Sequence, residues 1–187
     1  MLMRDLAMGK IKTAKNTFIA AIPVYSVGGM LNRNSHSRAN QNGPEEYGFR
    51  GNARNYDLNR DFIKSDTKNS RSFQKLFTEL NPDIFLDNHV SNGADYQYTF
   101  TCIATQHERL GNKLGNYFIN EVYPSVVKVM NKKKIDVVPY VNVHSTTPDK
   151  GFEQFTDTPR YATGYSTLFH TLGFVPETHM LKVYKER

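Results

Sequence analysis

Short apolar segments of strand length alternate along this chain with segments in which apolar residues recur at the helical period. Between residues 110 and 130 every fourth residue is apolar, which predicts a long amphipathic helix, bent at Pro124 because proline lacks a backbone N–H. The remaining patterns predict helices over residues 1–15, 69–80 and 163–172, and strands over 17–24, 84–86, 96–103, 137–143 and 174–175. Alternation of this kind is typical of α/β proteins. We therefore predict a mostly parallel, mixed sheet with helices on both faces.

Length, charge and cysteine content exclude several classes of protein. A chain of 187 residues corresponds to a single domain with room for a hydrophobic core. Cys102 is the only cysteine, which excludes a disulfide framework and a cysteine-based zinc module. The net charge is +6 with one clear basic run, at residues 132–134, so a nucleic acid is not an expected partner. No apolar stretch approaches the roughly 20 residues that span a bilayer, so a membrane is not expected either.

Residues 26–62 form a long polar stretch, rich in asparagine, arginine, glycine and serine. A stretch of this length inside a compact domain is either functional or disordered. Disordered segments are poor in aromatic residues, whereas this one contains several: Tyr47, Phe49, Tyr56 and Phe62. We therefore interpret it as an ordered functional loop, with disorder as the alternative.

Two clusters of polar residues follow predicted strands, at 87–89 (Asp-Asn-His) and at 177–179 (Glu-Thr-His). A third cluster lies in the polar loop, where Arg50 precedes the sequence Asp-Leu-Asn-Arg-Asp-Phe at 57–62. In open α/β sheets, ligands bind outside the carboxyl ends of the strands. Taken singly, each cluster has an ordinary structural explanation, such as a surface ion pair or the cap of a turn. Their combination predicts a functional site.

These clusters resemble the zinc carboxypeptidases of the carboxypeptidase A type, in particular a bacterial branch of that family. In the family a tryptophan-arginine pair precedes an aspartate-x-asparagine-arginine-x-aromatic motif, then a histidine ligand at a strand end, and finally a catalytic glutamate. This chain has Phe49-Arg50, the motif at 57–62, His89 and Glu177 in that order, with Phe49 in place of the tryptophan. The resemblance implies a zinc carboxypeptidase-like fold and a metallopeptidase that hydrolyses the C-terminal residues of peptides.

One family motif is missing. The first two zinc ligands of the family form a His-x-x-Glu motif, and no histidine of this chain has a glutamate three residues later. The six histidines are His36, His89, His107, His144, His170 and His179. By the resemblance, the chain is an N-terminally truncated, partial peptidase domain that holds His89 as one of three expected ligands for one zinc ion. Catalytic zinc requires three protein ligands, so we expect weak zinc binding and little or no activity of the chain itself.

The resemblance also implies a role for each site residue. Arg60 and Asn59 would bind the terminal carboxylate of a peptide, and Arg50 would stabilise the oxyanion that forms at the scissile carbonyl. Glu177 would act as the general base and then as the acid that protonates the leaving amine. Asp57 would orient a histidine ligand, one that is absent from the chain.

A tyrosine is expected to cover the substrate, and both Tyr161 and Tyr165 qualify. Two alternative functions remain open: an acyl-amino-acid deacylase of the aspartoacylase and succinylglutamate desuccinylase type, and a non-catalytic module that binds carboxylates without a metal. The expected partner is accordingly a peptide or a small acyl-amino acid. The family is often exported, which favours a periplasmic or extracellular location, although residues 1–5 do not form a signal peptide.

Overall fold

The structure, a computed structural model, describes residues 2–38 and 41–186 of the chain. The strands, in chain order, are β1 (Arg33–Asn34), β2 (Tyr47–Gly48), β3 (Ile84–Leu86), β4 (His89–Val90), β5 (Phe100–Ala104), β6 (Val138–Pro139), β7 (Val141–Val143), β8 (Phe152–Gln154) and β9 (Leu172–Thr178). The α-helices are α1 (Leu2–Ala7), α2 (Val27–Leu31), α3 (Lys68–Leu80), α4 (Asn112–Tyr117), α5 (Tyr123–Lys132) and α6 (Ala162–Thr167). Short 3₁₀ helices lie at Leu58–Arg60, His107–Leu110, Pro148–Lys150 and Tyr184–Glu186, and a π-helical turn, Phe118–Val122, joins α4 to α5.

Strand β9 is the centre of the main sheet, whose strand order is β3-β9-β5-β6, with β4 also paired to β9. Strands β3 and β4 run parallel to β9, β5 runs antiparallel to it, and β6 runs parallel to β5. The predicted mixed sheet is therefore confirmed. Since β4 and β9 are parallel neighbours, their carboxyl ends lie side by side.

Helices cover both faces of this sheet, as predicted. Phe174 and Val175 are adjacent in β9 and so point to opposite faces. On one face Val175 belongs to an aromatic core that includes Phe73 of α3 and Tyr165 of α6. On the other, Phe118 of the π-helical turn lies 5.6 Å from Phe174, measured between ring centroids. One strand thus contributes to two separate cores.

Helix α3 confirms the prediction over 69–80 closely, whereas the helix predicted over 163–172 forms but ends five residues early, at Thr167. Helix α3 begins after Thr67, whose hydroxyl accepts a hydrogen bond from the Ser70 N–H (3.0 Å), and it ends at Asn81, which has a left-handed backbone (φ 41°). The pattern at 110–130 forms α4, the π-helical turn and α5 in succession. The irregularity directly precedes Pro124, which lacks the N–H that a continuous helix would use at this point.

The polar stretch is ordered in the described residues 26–38 and 41–62, as expected. It contains α2, the antiparallel pair of β1 and β2, and a 3₁₀ helix. Residues 39 and 40 of this stretch lie outside the described residues, as does residue 1 of the helix expected over 1–15. Of that helix, α1 covers Leu2–Ala7.

The prediction of a buried strand over residues 17–24 is wrong. The segment forms no strand in the structure, and Phe18 is 81% exposed. An apolar, β-branched composition favours a strand only where a neighbouring strand supplies the hydrogen-bond ladder, and none of the described strands pairs with this segment. For a related reason β3 is less buried than expected: it is an edge strand, and Ile84 and Leu86 are 55% and 57% exposed.

The exposed side of β3 is expected to make the chain associate with itself. An unpaired strand edge flanked by apolar side chains is a template for pairing with another chain. We expect Leu86→Lys to shift sedimentation velocity profiles towards monomer. Val129→Lys on α5 is the matched control. Val129 is 54% exposed, but it lies on a helix, whose backbone groups bond within the helix and offer no edge for strand pairing. Equal association of the Leu86→Lys variant and the unsubstituted chain would contradict this expectation.

No helix in the described ranges 2–38 and 41–186 is both long enough and apolar enough to span a bilayer.

Candidate active site

The register of β4 against β9 places His89 directly opposite Glu177. The Nδ1 atom of His89 lies 3.4 Å from the Oε1 atom of Glu177. On its other side, the Nε2 atom of His89 lies 3.0 Å from the Oδ2 atom of Asp87. The imidazole of His89 is therefore held between two carboxylates at the carboxyl ends of parallel strands.

This arrangement determines the charge of His89. Burial alone would lower the pKa of the imidazole, but the carboxylates of Asp87 and Glu177 outweigh burial and raise it to about 10. The imidazole is accordingly protonated at neutral pH, and both of its nitrogens act as donors. The sequence motifs assign no role to Asp87. Its signal is the Asp-x-His spacing, which puts two side chains of an extended segment on the same side.

Asp57 holds Arg50 in place. The Nε atom of Arg50 donates to the Oδ2 atom of Asp57 at 2.9 Å, and the Oδ1 atom of Asp57 accepts from the Asn59 N–H at 3.0 Å. The carboxylate therefore both caps the 3₁₀ helix Leu58–Arg60 and fixes the position of the arginine. In the described chain Asp57 thus contacts an arginine, whereas the family resemblance implies that it orients a histidine.

The end of the same motif anchors the loop to helix α3. Asp61 is 4% exposed, and its carboxylate accepts hydrogen bonds from the Ser70 hydroxyl (2.7 Å), the Thr67 hydroxyl (2.8 Å) and two backbone N–H groups. Burial alone would raise the pKa of Asp61, but these hydrogen bonds outweigh burial and lower it. The next residue, Phe62, is part of the aromatic core. The loop that carries Arg60 is therefore fixed at its C-terminal end.

Arg60 is half-buried and lies over the ring of Tyr161, with its Cζ atom 4.6 Å from the ring centroid. This is a cation–π contact, and the Nη1 atom also donates to the Asn59 carbonyl at 2.9 Å. Tyr165, the other candidate from the sequence, is 4% exposed and packs among the phenylalanines of the core. Of the two tyrosines, Tyr161 is the one placed beside Arg60.

Two further buried residues, Asp157 and Tyr140, lie within electrostatic range of these side chains. The charges of His89 and Asp87 act on Asp157, which is 3% exposed and accepts two hydrogen bonds from Thr163. Burial raises the pKa of Asp157. The charges of Glu177 and Arg60 both act on Tyr140. Neither residue can be found from the sequence, because neither lies in a motif and their positions depend on tertiary packing.

His179 has a structural place in this region. It is 1% exposed, and its Nδ1 atom accepts a hydrogen bond from the Leu181 N–H at 3.2 Å. Its Nε2 atom points towards Asp95, 3.5 Å from the Oδ1 atom. Within residues 2–38 and 41–186, no direct contact joins Arg50 or Arg60 to His89 or Glu177. That these four residues and Asn59 converge on one pocket stays a prediction.

The residues present do not by themselves fit a zinc ion. Among the described residues no group of three or more histidine, cysteine, aspartate or glutamate side chains could hold a metal. A catalytic zinc needs three protein ligands, and a histidine binds it through a neutral nitrogen. His89 instead carries a proton and has a carboxylate against each nitrogen.

Two solved structures have an arrangement of helices and strands similar to that of this chain. A metallo-carboxypeptidase from Burkholderia cenocepacia aligns with 74% of this chain, at a TM-score of 0.52 and 15% sequence identity. The chain has a zinc carboxypeptidase-like fold. A second metallo-carboxypeptidase, from Pseudomonas aeruginosa, aligns with 75% of the chain at a TM-score of 0.51 and 13% identity. The carboxypeptidase-like region spans 34% of the length of each of these two proteins. By sequence, no family model and no curated protein matches the chain.

Proposed function

We propose that this chain provides the substrate-binding and general-base residues of a zinc-dependent metallocarboxypeptidase that removes C-terminal residues from peptides. The observation that carries the proposal is the pairing of His89 with Glu177 across β4 and β9, within a carboxypeptidase-like fold. Zinc would take His89 as one of three protein ligands, and the other two are not among the described residues. The activity would require a protein that supplies those two ligands as well.

Arg60 and Asn59 would bind the terminal carboxylate of the substrate. A guanidinium presents two parallel N–H donors that match the two oxygens of a carboxylate. Tyr161 supports the arginine through the cation–π contact and would cover the bound residue. The Pseudomonas aeruginosa neighbour is in complex with (2-guanidinoethylmercapto)succinic acid, a compound with two carboxyl groups. This supports a carboxylate as the group that the site recognises.

The remaining residues would serve the hydrolysis itself. Glu177 is 8% exposed and lies at the end of β9, where it would accept a proton from the attacking water and pass it to the leaving amine. In that reaction the carbonyl carbon gains a bond to oxygen and loses its bond to nitrogen. Arg50, held by Asp57, would stabilise the negative oxygen of the intermediate.

The contacts of His89 favour a second candidate, a module that binds carboxylates without a metal. The carboxylates of Asp87 and Glu177 face the two nitrogens of the imidazole and hold it in place. The acyl-amino-acid deacylase shares the requirement for a carboxylate clamp and differs in the acyl group that is removed from the amino acid. All three functions therefore predict a role for Arg60, and they differ in zinc content and in substrate.

Arg60→Lys tests the carboxylate clamp in a protein that supplies all three zinc ligands. We expect KM for peptide hydrolysis to rise about tenfold with a smaller change in kcat, because a bidentate donor becomes a point charge. Arg54→Lys is the matched control, since Arg54 is an exposed arginine of the same loop. An equal rise of KM in both variants would contradict a specific role for Arg60.

Zinc content and a substrate panel then separate the three functions. Elemental analysis after dialysis reports the metal, and peptides are compared with N-acyl amino acids as substrates. Turnover of N-acyl amino acids alone would favour the deacylase. Carboxylate binding that depends on Arg60, without zinc and without turnover, would favour the binding module.

A further inference from the structure

Tyr140 lies on the same face of the sheet as Glu177. Strand β5 separates the two, with Thr101 in register with Glu177 and Ile103 in register with Val175. The backbone N–H of Tyr140 donates to the Cys102 carbonyl of β5 at 3.3 Å, which continues the pairing of β6. Because side chains alternate along a strand, Tyr140 points into the core that contains Ile103 and Val175, as is observed. Glu177 follows Val175 by two residues and so shares this face.

The ring of Tyr140 is fixed, but its hydroxyl is not bonded. Tyr140 is 9% exposed, and its ring packs edge-on against Phe155 with centroids 6.1 Å apart. Phe155 in turn packs edge-on against Tyr161 at 5.2 Å, and Tyr161 lies under Arg60. Across residues 2–38 and 41–186 the structure gives the Tyr140 hydroxyl no hydrogen-bond partner. The hydroxyl is not among the fully enclosed polar atoms that lack a partner, so it is open to solvent and available to a ligand.

The electrostatic environment keeps this hydroxyl a donor. Burial, followed by the charge of Glu177, raises the pKa of Tyr140, and the opposing effect of Arg60 is smaller. The group therefore remains protonated at neutral pH. A neutral hydroxyl on which the charges of both Glu177 and Arg60 act can donate a hydrogen bond to an anionic ligand bound at Arg60.

We propose that the Tyr140 hydroxyl is a further substrate-binding group, which donates a hydrogen bond to a carboxylate held by Arg60. The inference rests on the proposed function, since it requires the carboxylate clamp. A carboxylate accepts about four hydrogen bonds, of which a bidentate arginine satisfies two. The hydroxyl would supply a third, and the ring contacts that run from Tyr140 through Phe155 to Tyr161 fix its position relative to the arginine.

The test is a calorimetric titration of the chain with (2-guanidinoethylmercapto)succinic acid. Tyr140→Phe removes only the hydroxyl and keeps the ring contacts with Phe155. We expect the dissociation constant to rise about tenfold, the effect of losing one hydrogen bond to a charged group. Tyr165→Phe is the matched control, because it removes the hydroxyl of another tyrosine of the same core, and we expect no change. The diester of the ligand should bind weakly to every variant and should not distinguish Tyr140→Phe from the unsubstituted chain.

Arg60→Lys in the same titration separates the role of Tyr140 from that of the clamp. Weaker binding of Arg60→Lys with unchanged binding of Tyr140→Phe would overturn the role of Tyr140 and leave the proposed clamp intact. No binding by the unsubstituted chain, or binding insensitive to Arg60→Lys, would overturn the clamp and the role of Tyr140 with it. An equal loss of affinity in Tyr140→Phe and Tyr165→Phe would also overturn the role of Tyr140, because the effect would then come from a change in the packing of the core.

Discussion

Glu177→Gln is expected to lower kcat for C-terminal peptide hydrolysis by roughly 10²–10⁴-fold in a protein that supplies all three zinc ligands, the usual contribution of a general base. Glutamine has the size of glutamate and can still face His89 at the end of β9, but it cannot accept a proton at neutral pH. The zinc content should be unchanged, because Glu177 is not a proposed ligand. Steady-state kinetics and elemental analysis of the same preparation measure both quantities.

Glu79→Gln is the control for this experiment. Glu79 lies on α3 with a side chain 61% exposed, and its pairing with Lys75 spans one helical turn at the surface. We expect its kcat to equal that of the unsubstituted protein. Near-normal turnover by Glu177→Gln in a folded, zinc-containing protein would show that another group accepts the proton.

Asp61→Asn is expected to be strongly destabilising, even though the two side chains are almost identical in size. The carboxylate is buried and accepts four hydrogen bonds, whereas an amide has a single oxygen and would present its own N–H groups to some of the same donors. Hydrogen bonds to charged groups contribute about 1.5–3 kcal/mol each, and we expect a net loss of about 2–4 kcal/mol of unfolding free energy. For a domain of this size that corresponds to a fall of roughly 5–15 °C in Tm, measured by thermal unfolding.

The effect should depend on pH with a definite sign. The pKa of Asp61 is lowered in the folded state, so its ionisation stabilises the fold above the pKa of the unfolded chain, about 3.9. The difference in stability between the unsubstituted chain and Asp61→Asn should therefore be full at neutral pH and shrink as the pH falls below about 4. Asp66→Asn is the control, since the side chain of Asp66 is exposed and pairs with Lys64 at the surface. A difference independent of pH would contradict the role assigned to the charge.

The elements that the sequence predicted well are those whose local pattern agrees with their packing. Helix α3 has apolar residues at helical spacing and is followed by Asn81-Pro82, where the residue before proline avoids the helical conformation, so its ends could be located within a residue. Residues 17–24 have an equally clear strand pattern and yet form none. A strand is stabilised by a partner, and the presence of a partner is not encoded in the strand's own residues.

In the candidate site, too, some features could be predicted from the sequence and others could not. The motif at 57–62 and the two strand-end clusters could be found from the sequence, because their residues are close together in the chain. The contact of Arg60 with Tyr161 joins residues that are distant in the chain, and Tyr165 follows Tyr161 by one helical turn, so periodicity could not choose between the tyrosines. Burial of Tyr165 in the core makes the choice.

The parallel pairing of β4 with β9 also decides which changes of chain length the site can tolerate. His89 and Glu177 are opposite one another in a hydrogen-bonded ladder, so their separation is defined by the spacing of neighbouring strands. The loop between β4 and β5 can therefore gain or lose residues without altering this pair. A single residue inserted between β3 and His89 would instead turn the imidazole to the opposite face of the sheet, because side chains alternate along a strand. Relatives of this chain should therefore differ in length between β4 and β5 and keep the same length between β3 and His89.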